Sequence, residues 1–115
     1  MEPKKLKKKK GPEAIIQEDL IKYLKVRDWY VMVTHGNMYQ SGFPDLYATH
    51  SQYGPRWIEV KNAAGRWEFT PAQMECFPKL MAHGTRIWIL SAATKEEYDK
   101  LFKPDNAFHY FMAKL

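Results

Sequence analysis

Only one cysteine, Cys76, occurs in 115 residues. That excludes an internal disulfide and every multi-cysteine zinc site, and it fits a reducing compartment. No apolar run approaches the roughly 18 residues needed to cross a bilayer, and no signal-peptide core follows the basic start. Neither a membrane partner nor export is therefore expected, and the cytoplasm is the expected compartment. Glycine-rich phosphate loops and a Gly-x-Ser-x-Gly elbow are missing, which removes nucleotide triphosphatases and serine hydrolases. No internal repeat or linker divides the body. Net charge is missing from the body too. Of 18 Lys and Arg and 13 Asp and Glu, six Lys and Glu2 lie in residues 1–10, which leaves twelve of each sign afterwards. The net charge of +5 belongs entirely to the first ten residues.

What is present is globular. Apolar residues make up 45% and charged residues 27%, and six Phe, seven Tyr and four Trp argue against disorder. The length is below the roughly 150 residues per domain used as a prior, so one domain is expected. The division is a disordered basic tail over residues 1–11 and a folded domain over 12–115. A block of like charges (Lys4, Lys5, Lys7, Lys8, Lys9, Lys10) broken only by Leu6 is suited to lie along a polyanion such as DNA. Each lysine on a phosphate would release about one counterion, giving salt-dependent, sequence-blind affinity. The same block also reads as a solvated tail without a partner, or as a nuclear-localisation patch.

Gly11-Pro12 ends the tail. Ile15, Ile16, Leu20, Ile21 and Leu24 recur at three- and four-residue spacing, which predicts an amphipathic helix from about residue 13 with Pro12 at its first position. Residues 29–33, 45–49 and 57–61 read as strands, and Ser51-Gln52-Tyr53-Gly54-Pro55 supplies hairpin-turn chemistry between the last two. Thr70-Pro71 starts a second helix and His83-Gly84 ends it. Ile87-Trp88-Ile89-Leu90 suits a buried strand. A short helix follows over residues 95–102, and residues 108–111 add either an edge strand or a packed terminal segment. The expected class is α/β, a mixed sheet flanked by helices in the order αβββαβα.

Side chains alternate along a strand, so Ile58 and Val60 share one face while Glu59 and Lys61 share the other. Leu46 and Ala48 likewise oppose Asp45 and Tyr47. Paired as a hairpin, the two strands bring Asp45 close to Glu59, with Lys61 beside them. An amphipathic hairpin showing its charges to water would carry the same alternation. Against it, Asp45 follows the bend Ser41-Gly42-Phe43-Pro44, and Glu59 and Lys61 sit among large apolar residues. Glu13 and Gln17 lie four apart on the first helix, and Gln73 falls on the first turn of the second. Two crowded carboxylates favour a cation between them, and Mg²⁺ or Mn²⁺ takes such oxygen ligands while keeping waters. Such a metal can lower the pKa of a bound water and neutralise charge on a phosphate. Lys61 would hold or activate the attacking water or stabilise the transition state. Val60 would offer its backbone carbonyl as a metal ligand.

At these residues the sequence resembles the PD-(D/E)XK nuclease superfamily, and within it the VRR-NUC type found alone in phages and fused in DNA-repair proteins. The motifs are Glu13-Ala14-Ile15-Ile16-Gln17, Ser41-Gly42-Phe43-Pro44-Asp45, Glu59-Val60-Lys61 and Pro71-Ala72-Gln73, and the resemblance spans roughly residues 12–102. It implies a restriction-endonuclease-like domain with an αβββαβ core and a metal-dependent endonuclease or exonuclease acting on DNA. In that role Asp45 and Glu59 bind metal, Lys61 is catalytic, Glu13 is an additional acid, and Gln17 and Gln73 orient the site or touch the strand. Small stand-alone members resemble Holliday-junction resolvases, which implies a homodimer and structure-selective cutting of junctions or flaps, or nicking. Glu18 or Asp19 takes the place of Glu13 if the helix begins later, though Glu18 lies about 100° around the helix from Gln17.

The four histidines (His35, His50, His83, His109) have no metal-site spacing and read as structural or exposed, with His83 suited to a helix C-terminus. His35 and Asn37 precede Asp45 in a loop that could touch substrate. Arg66 and Trp67 either grip a phosphate and stack a base or pack beneath the loop. Met74, Phe77, Leu80 and Met81 are core by spacing, and Cys76 lacks a basic partner for nucleophilic work. Two competing readings remain: a DNA-binding module on an inactive nuclease fold, and an interaction protein whose charged hairpin is a solvated surface.

Overall fold

The apolar stripe of the first segment folds as expected. Helix α1 (Pro12–Val26) has Gly11 as N-cap and Pro12 at its start, and it buries Ile16, Leu20 and Leu24. Complete burial of a leucine stabilises by about 2 kcal/mol, and Leu20 and Leu24 are both fully buried. Asp28 then adopts a left-handed φ of 68° and turns the chain into the sheet. The computed structural model describes residues 11–34, 42–63 and 68–114.

Four strands form one sheet in the order β1-β2-β3-β4: β1 (Tyr30–Val33), β2 (Leu46–His50), β3 (Gly54–Val60) and β4 (Ile87–Leu90). The first two pairings are antiparallel, and β3 runs parallel to β4. Leu46 lies opposite Ile58 and Ala48 opposite Arg56, so the apolar residues of the hairpin coincide on one face as the alternation requires. Ile58, Val60, Leu46, Ala48, Trp88 and Leu90 pack there with α1. The opposite face of β4 carries Ile87 and Ile89, which pack with Phe69, Phe77, Ala107 and Phe111. Both faces of β4 are thus buried, which explains its unbroken apolar run.

Helix α2 (Pro71–Ala82) lies on that second face, capped by Thr70 and closed by His83. Gly84 follows at a φ of 94°, and His83 Nδ1 sits 2.8 Å from the Lys79 carbonyl. The segment over residues 95–102 is helical in two pieces, α3 (Lys95–Asp99) and a 3₁₀ turn (Lys100–Phe102).

The terminal segment is a helix, α4 (Ala107–Lys114), and the edge-strand alternative for residues 108–111 is therefore wrong. The free edge of β4 is already taken. Ile89 N donates to Asn106 Oδ1 at 2.6 Å, and Asn106 Nδ2 donates to the Ile89 carbonyl at 3.0 Å. One amide side chain does there what a neighbouring strand would do. Ala107 and Phe111, four residues apart, bury one side of the new helix. Among the described residues no helix is long and apolar enough to cross a membrane.

Candidate active site

Two chain segments bring the acids together. The β2–β3 register continues one step past Leu46 and Ile58, which sets Asp45 opposite Glu59. Asp45 N donates to Glu59 Oε1 at 3.2 Å, and Val60 N donates to Asp45 Oδ2 at 2.9 Å. The bend before Asp45 is held from both sides. Thr34 N donates to the Asp45 carbonyl at 2.9 Å and its hydroxyl donates to the Pro44 carbonyl. Gly42 has a φ of 87°, and a Cβ built on it would stand 2.5 Å from the Ala72 carbonyl oxygen. The glycine is needed because the bend is pressed directly onto the first turn of α2.

That same turn delivers Gln73. Gln73 N donates to Thr70 Oγ1 at 3.1 Å and Thr70 N to Gln73 Oε1 at 3.1 Å, a reciprocal capping box. The amide then reaches the acids: Gln73 Nε2 donates to Glu59 Oε2 at 2.8 Å. Lys61 Nζ closes the ring, 3.1 Å from Glu59 Oε2 and 2.9 Å from Gln73 Oε1. It also donates to the Glu68 carbonyl at 3.1 Å and lies 5.5 Å from the centroid of the Phe69 ring. Glu59 is 2% exposed, Lys61 4% and Gln73 7%. A hairpin displaying these charges to water is excluded.

Among the described residues, the Lys61 ammonium sits beside the half-buried carboxylate of Asp45 and the almost wholly buried one of Glu59. Burial first, and then the Asp45 charge, push the Glu59 carboxyl up to about 7, against the opposing pull of Lys61 and Gln73. Crowding of two carboxylates is relieved either by a proton or by a cation. Oxygen donors without soft ligands suit a hard divalent ion that keeps part of its water shell. Asp45 and Glu59 are the side chains able to hold it, with the Val60 carbonyl between them in sequence. Among the described residues no group of three or more His, Cys, Asp or Glu forms a metal cluster. Water or substrate oxygens would have to complete the coordination.

The remaining residues singled out by sequence lie apart from this ring. Glu13 and Gln17 are half-buried on the first two turns of α1, and among the described residues neither hydrogen-bonds to Asp45, Glu59, Lys61 or Gln73. The start of α1 does border the chain just past Lys61: Pro12, Ile15 and Ile16 share a groove with Asn62 and Ala63. The helix begins at Pro12, not later, and Asp19 is engaged elsewhere, accepting the Tyr98 hydroxyl. Arg66, Trp67, His35, Asn37, Ser41 and the six tail lysines lie outside the described residues. Thr70 is the N-cap expected from the sequence, and its further part in holding Gln73 at the site was legible only as the capping-box signature Thr70-x-x-Gln73. The sequence reading missed Thr34, for which no motif gave a sign.

No family model and no curated relative matches this chain. Solved structures do. One titled "VRR_NUC domain" superposes with a TM-score of 0.60 at 18% identity, over 82% of this chain and 97% of the other. Another, titled "VRR_NUC domain protein", gives 0.59 at 20% identity, over 83% of this chain and 88% of the other. The αβββαβ core expected from the motifs is therefore the one observed, and this chain has the VRR-NUC fold.

Proposed function

We propose that this chain is a Mg²⁺- or Mn²⁺-dependent DNA endonuclease that hydrolyses phosphodiester bonds, either cutting junctions or flaps selectively or nicking. The observation that carries the reading is the ring of Asp45, Glu59, Lys61 and Gln73, whose adjacent carboxylate oxygens suit a divalent cation. The neighbours titled VRR_NUC support it at the level of the fold. Asp45, Glu59 and the Val60 carbonyl would hold the metal, which supplies an acidified water and neutralises charge developing on the phosphate.

The protein's own groups do the rest. Lys61, whose three donors are engaged by Glu59, Gln73 and the Glu68 carbonyl, acts through its positive charge on the attacking water or the charged transition state. Gln73 keeps Glu59 and Lys61 in fixed relation through one amide, so neither pays rotamer entropy at the moment of reaction. Glu13 and Gln17, at the start of α1, assist from the side of the incoming strand. The tail lysines and Arg66 supply phosphate contacts that the neutral body lacks. A homodimer is proposed as well: Tyr30 is 62% and Met32 47% exposed on the outer strand β1, apolar surface of the kind that a second copy covers. A monomeric mass in solution would remove it. Acting on DNA places the protein in the cytoplasm, or in the nucleus if the tail is a localisation signal.

The experiment is cleavage of a labelled panel (four-way junction, flap, supercoiled plasmid, single strand) with Mn²⁺, with Lys61→Ala as control. Wild type should cut at least one substrate, and the variant should be slower by about a hundredfold or more. Binding without cutting by the wild type would favour an inactive DNA-binding module.

A further inference from the structure

A second cationic cluster lies at the other end of the sheet, and the chemistry above does not use it. Strand β3 starts there and ends at the carboxylates, so Arg56 and Glu59 are separated by about 10 Å along the strand, Arg56 on the α1 face of the sheet and Glu59 on the α2 face. Helix α2 spans the same interval, about 18 Å from its first turn to its end. Between the start of β3 and the end of α2 lies an open cavity of about 440 Å³, whose lining includes Tyr53, Arg56, Trp57, His83, Thr85 and Arg86. No carboxylate lines it among the described residues.

Arg56 is fixed in place. Its Nε donates to the Leu101 carbonyl at 2.7 Å, and Nη1 donates to the carbonyls of Tyr53 at 3.0 Å and Pro55 at 2.9 Å. Its guanidinium carbon also lies 4.6 Å from the Trp88 ring centroid. Arg86 is exposed and close enough to repel it, and burial together with that repulsion holds the Arg56 pKa below its ordinary value. Near the end of α2, the carbonyls of Leu80 and Met81 are already engaged by donors of the following turn. Thr85 N reaches the Leu80 carbonyl at 2.9 Å, and Gly84 N the Met81 carbonyl at 3.1 Å. Two arginines are thus set together, without an acid, in a body whose charges sum to zero.

We propose that this pocket binds a phosphate of the nucleic-acid backbone, with Arg86 as the contacting cation and Arg56 as a fixed positive charge behind it. The proposal rests on the nuclease reading for the identity of the ligand. An interval of about 10–18 Å from the carboxylates corresponds to roughly three to five base pairs at 3.4 Å rise. A duplex passing around the end of the sheet would then meet both sites, and a phosphate held at the far end would fix which bond reaches Asp45 and Glu59.

The test uses the full chain in EDTA, so that binding is read without cleavage. A short labelled duplex is titrated over a range of salt, and inorganic phosphate is titrated separately at fixed ionic strength while the Thr85 and Arg86 amide signals are followed by NMR. Arg86→Ala should weaken duplex binding about fivefold or more at low salt and reduce the slope of log K against log salt by about 1. Arg86→Lys should restore most of both, and the thermal midpoint of either variant should match wild type. Unchanged duplex affinity and slope in Arg86→Ala overturn the proposal. If phosphate moves the amide signals in that case, the pocket takes free phosphate and the nucleic-acid assignment is wrong. Failure of the nuclease reading would be seen separately, as a wild-type chain that does not cut with Mn²⁺.

Discussion

Glu59 holds a carboxylate in a nearly dry position against a second acid, and its titration carries a definite sign. A carboxyl whose pKa rises on folding binds its proton more tightly in the folded chain, so its stabilising contribution is full below the unfolded value. Here it is lost as pH rises from 4.5 towards about 7. The metal-free protein is therefore expected to lose thermal stability across that window, by a midpoint shift that Glu59→Gln abolishes. Mn²⁺ should recover the lost stability at pH 8, because a cation removes the cost of the ionised pair. A flat pH profile in thermal melts of the metal-free wild type would show that Glu59 is not held in a dry position beside a second acid. Gly42 makes a second prediction at this scale. Its left-handed φ and its contact with Ala72 mean that Gly42→Ala should cost at least about 2 kcal/mol in denaturant unfolding. Because the displaced bend carries Asp45, cleavage should fall further than stability does.

At the scale of elements, the first turn of α2 is both a helix start and a wall of the site. Thr70→Ala removes the cap, at a cost of about 1 kcal/mol. It also frees the Gln73 amide that spans Glu59 and Lys61. Cleavage measured at saturating substrate should fall by about tenfold to a hundredfold, and Thr70→Ser should recover it. Recovery of stability without activity would separate the cap from the site. Much of this level was legible in the sequence. Helix α1 followed from five apolar residues at helical spacing, and α2 from Thr70-Pro71 and His83-Gly84. The coincidence of Asp45 and Glu59 followed from period-two alternation once the two strands were paired as a hairpin. Residues 108–111 were not legible, because a short apolar run fits either element until its neighbours are known. Here Asn106, through hydrogen bonds to Ile89 that no pattern encodes, had already closed the edge. The burial of Lys61 was equally hidden, since it depends on Phe69, Glu68 and Gln73 arriving from a separate element.

For the whole molecule, the separation of charge is the dominant feature. A body with balanced charge carries the acids, and six lysines sit ahead of it in sequence. Deleting residues 1–10 should weaken DNA binding at low salt and flatten its salt dependence, as each lost phosphate contact removes about 0.9 from the slope. Unchanged binding by the truncated protein would remove the tail from DNA recognition.

The most direct measurement is calorimetric titration of Mn²⁺ into the full chain at pH 8, paired with cleavage of the same preparations. Wild type should bind the ion and cut DNA, while Asp45→Asn should lose both and keep a folded thermal transition. Cleavage that persists in Asp45→Asn, or Mn²⁺ binding indifferent to that substitution, would contradict a metal site built on Asp45 and Glu59.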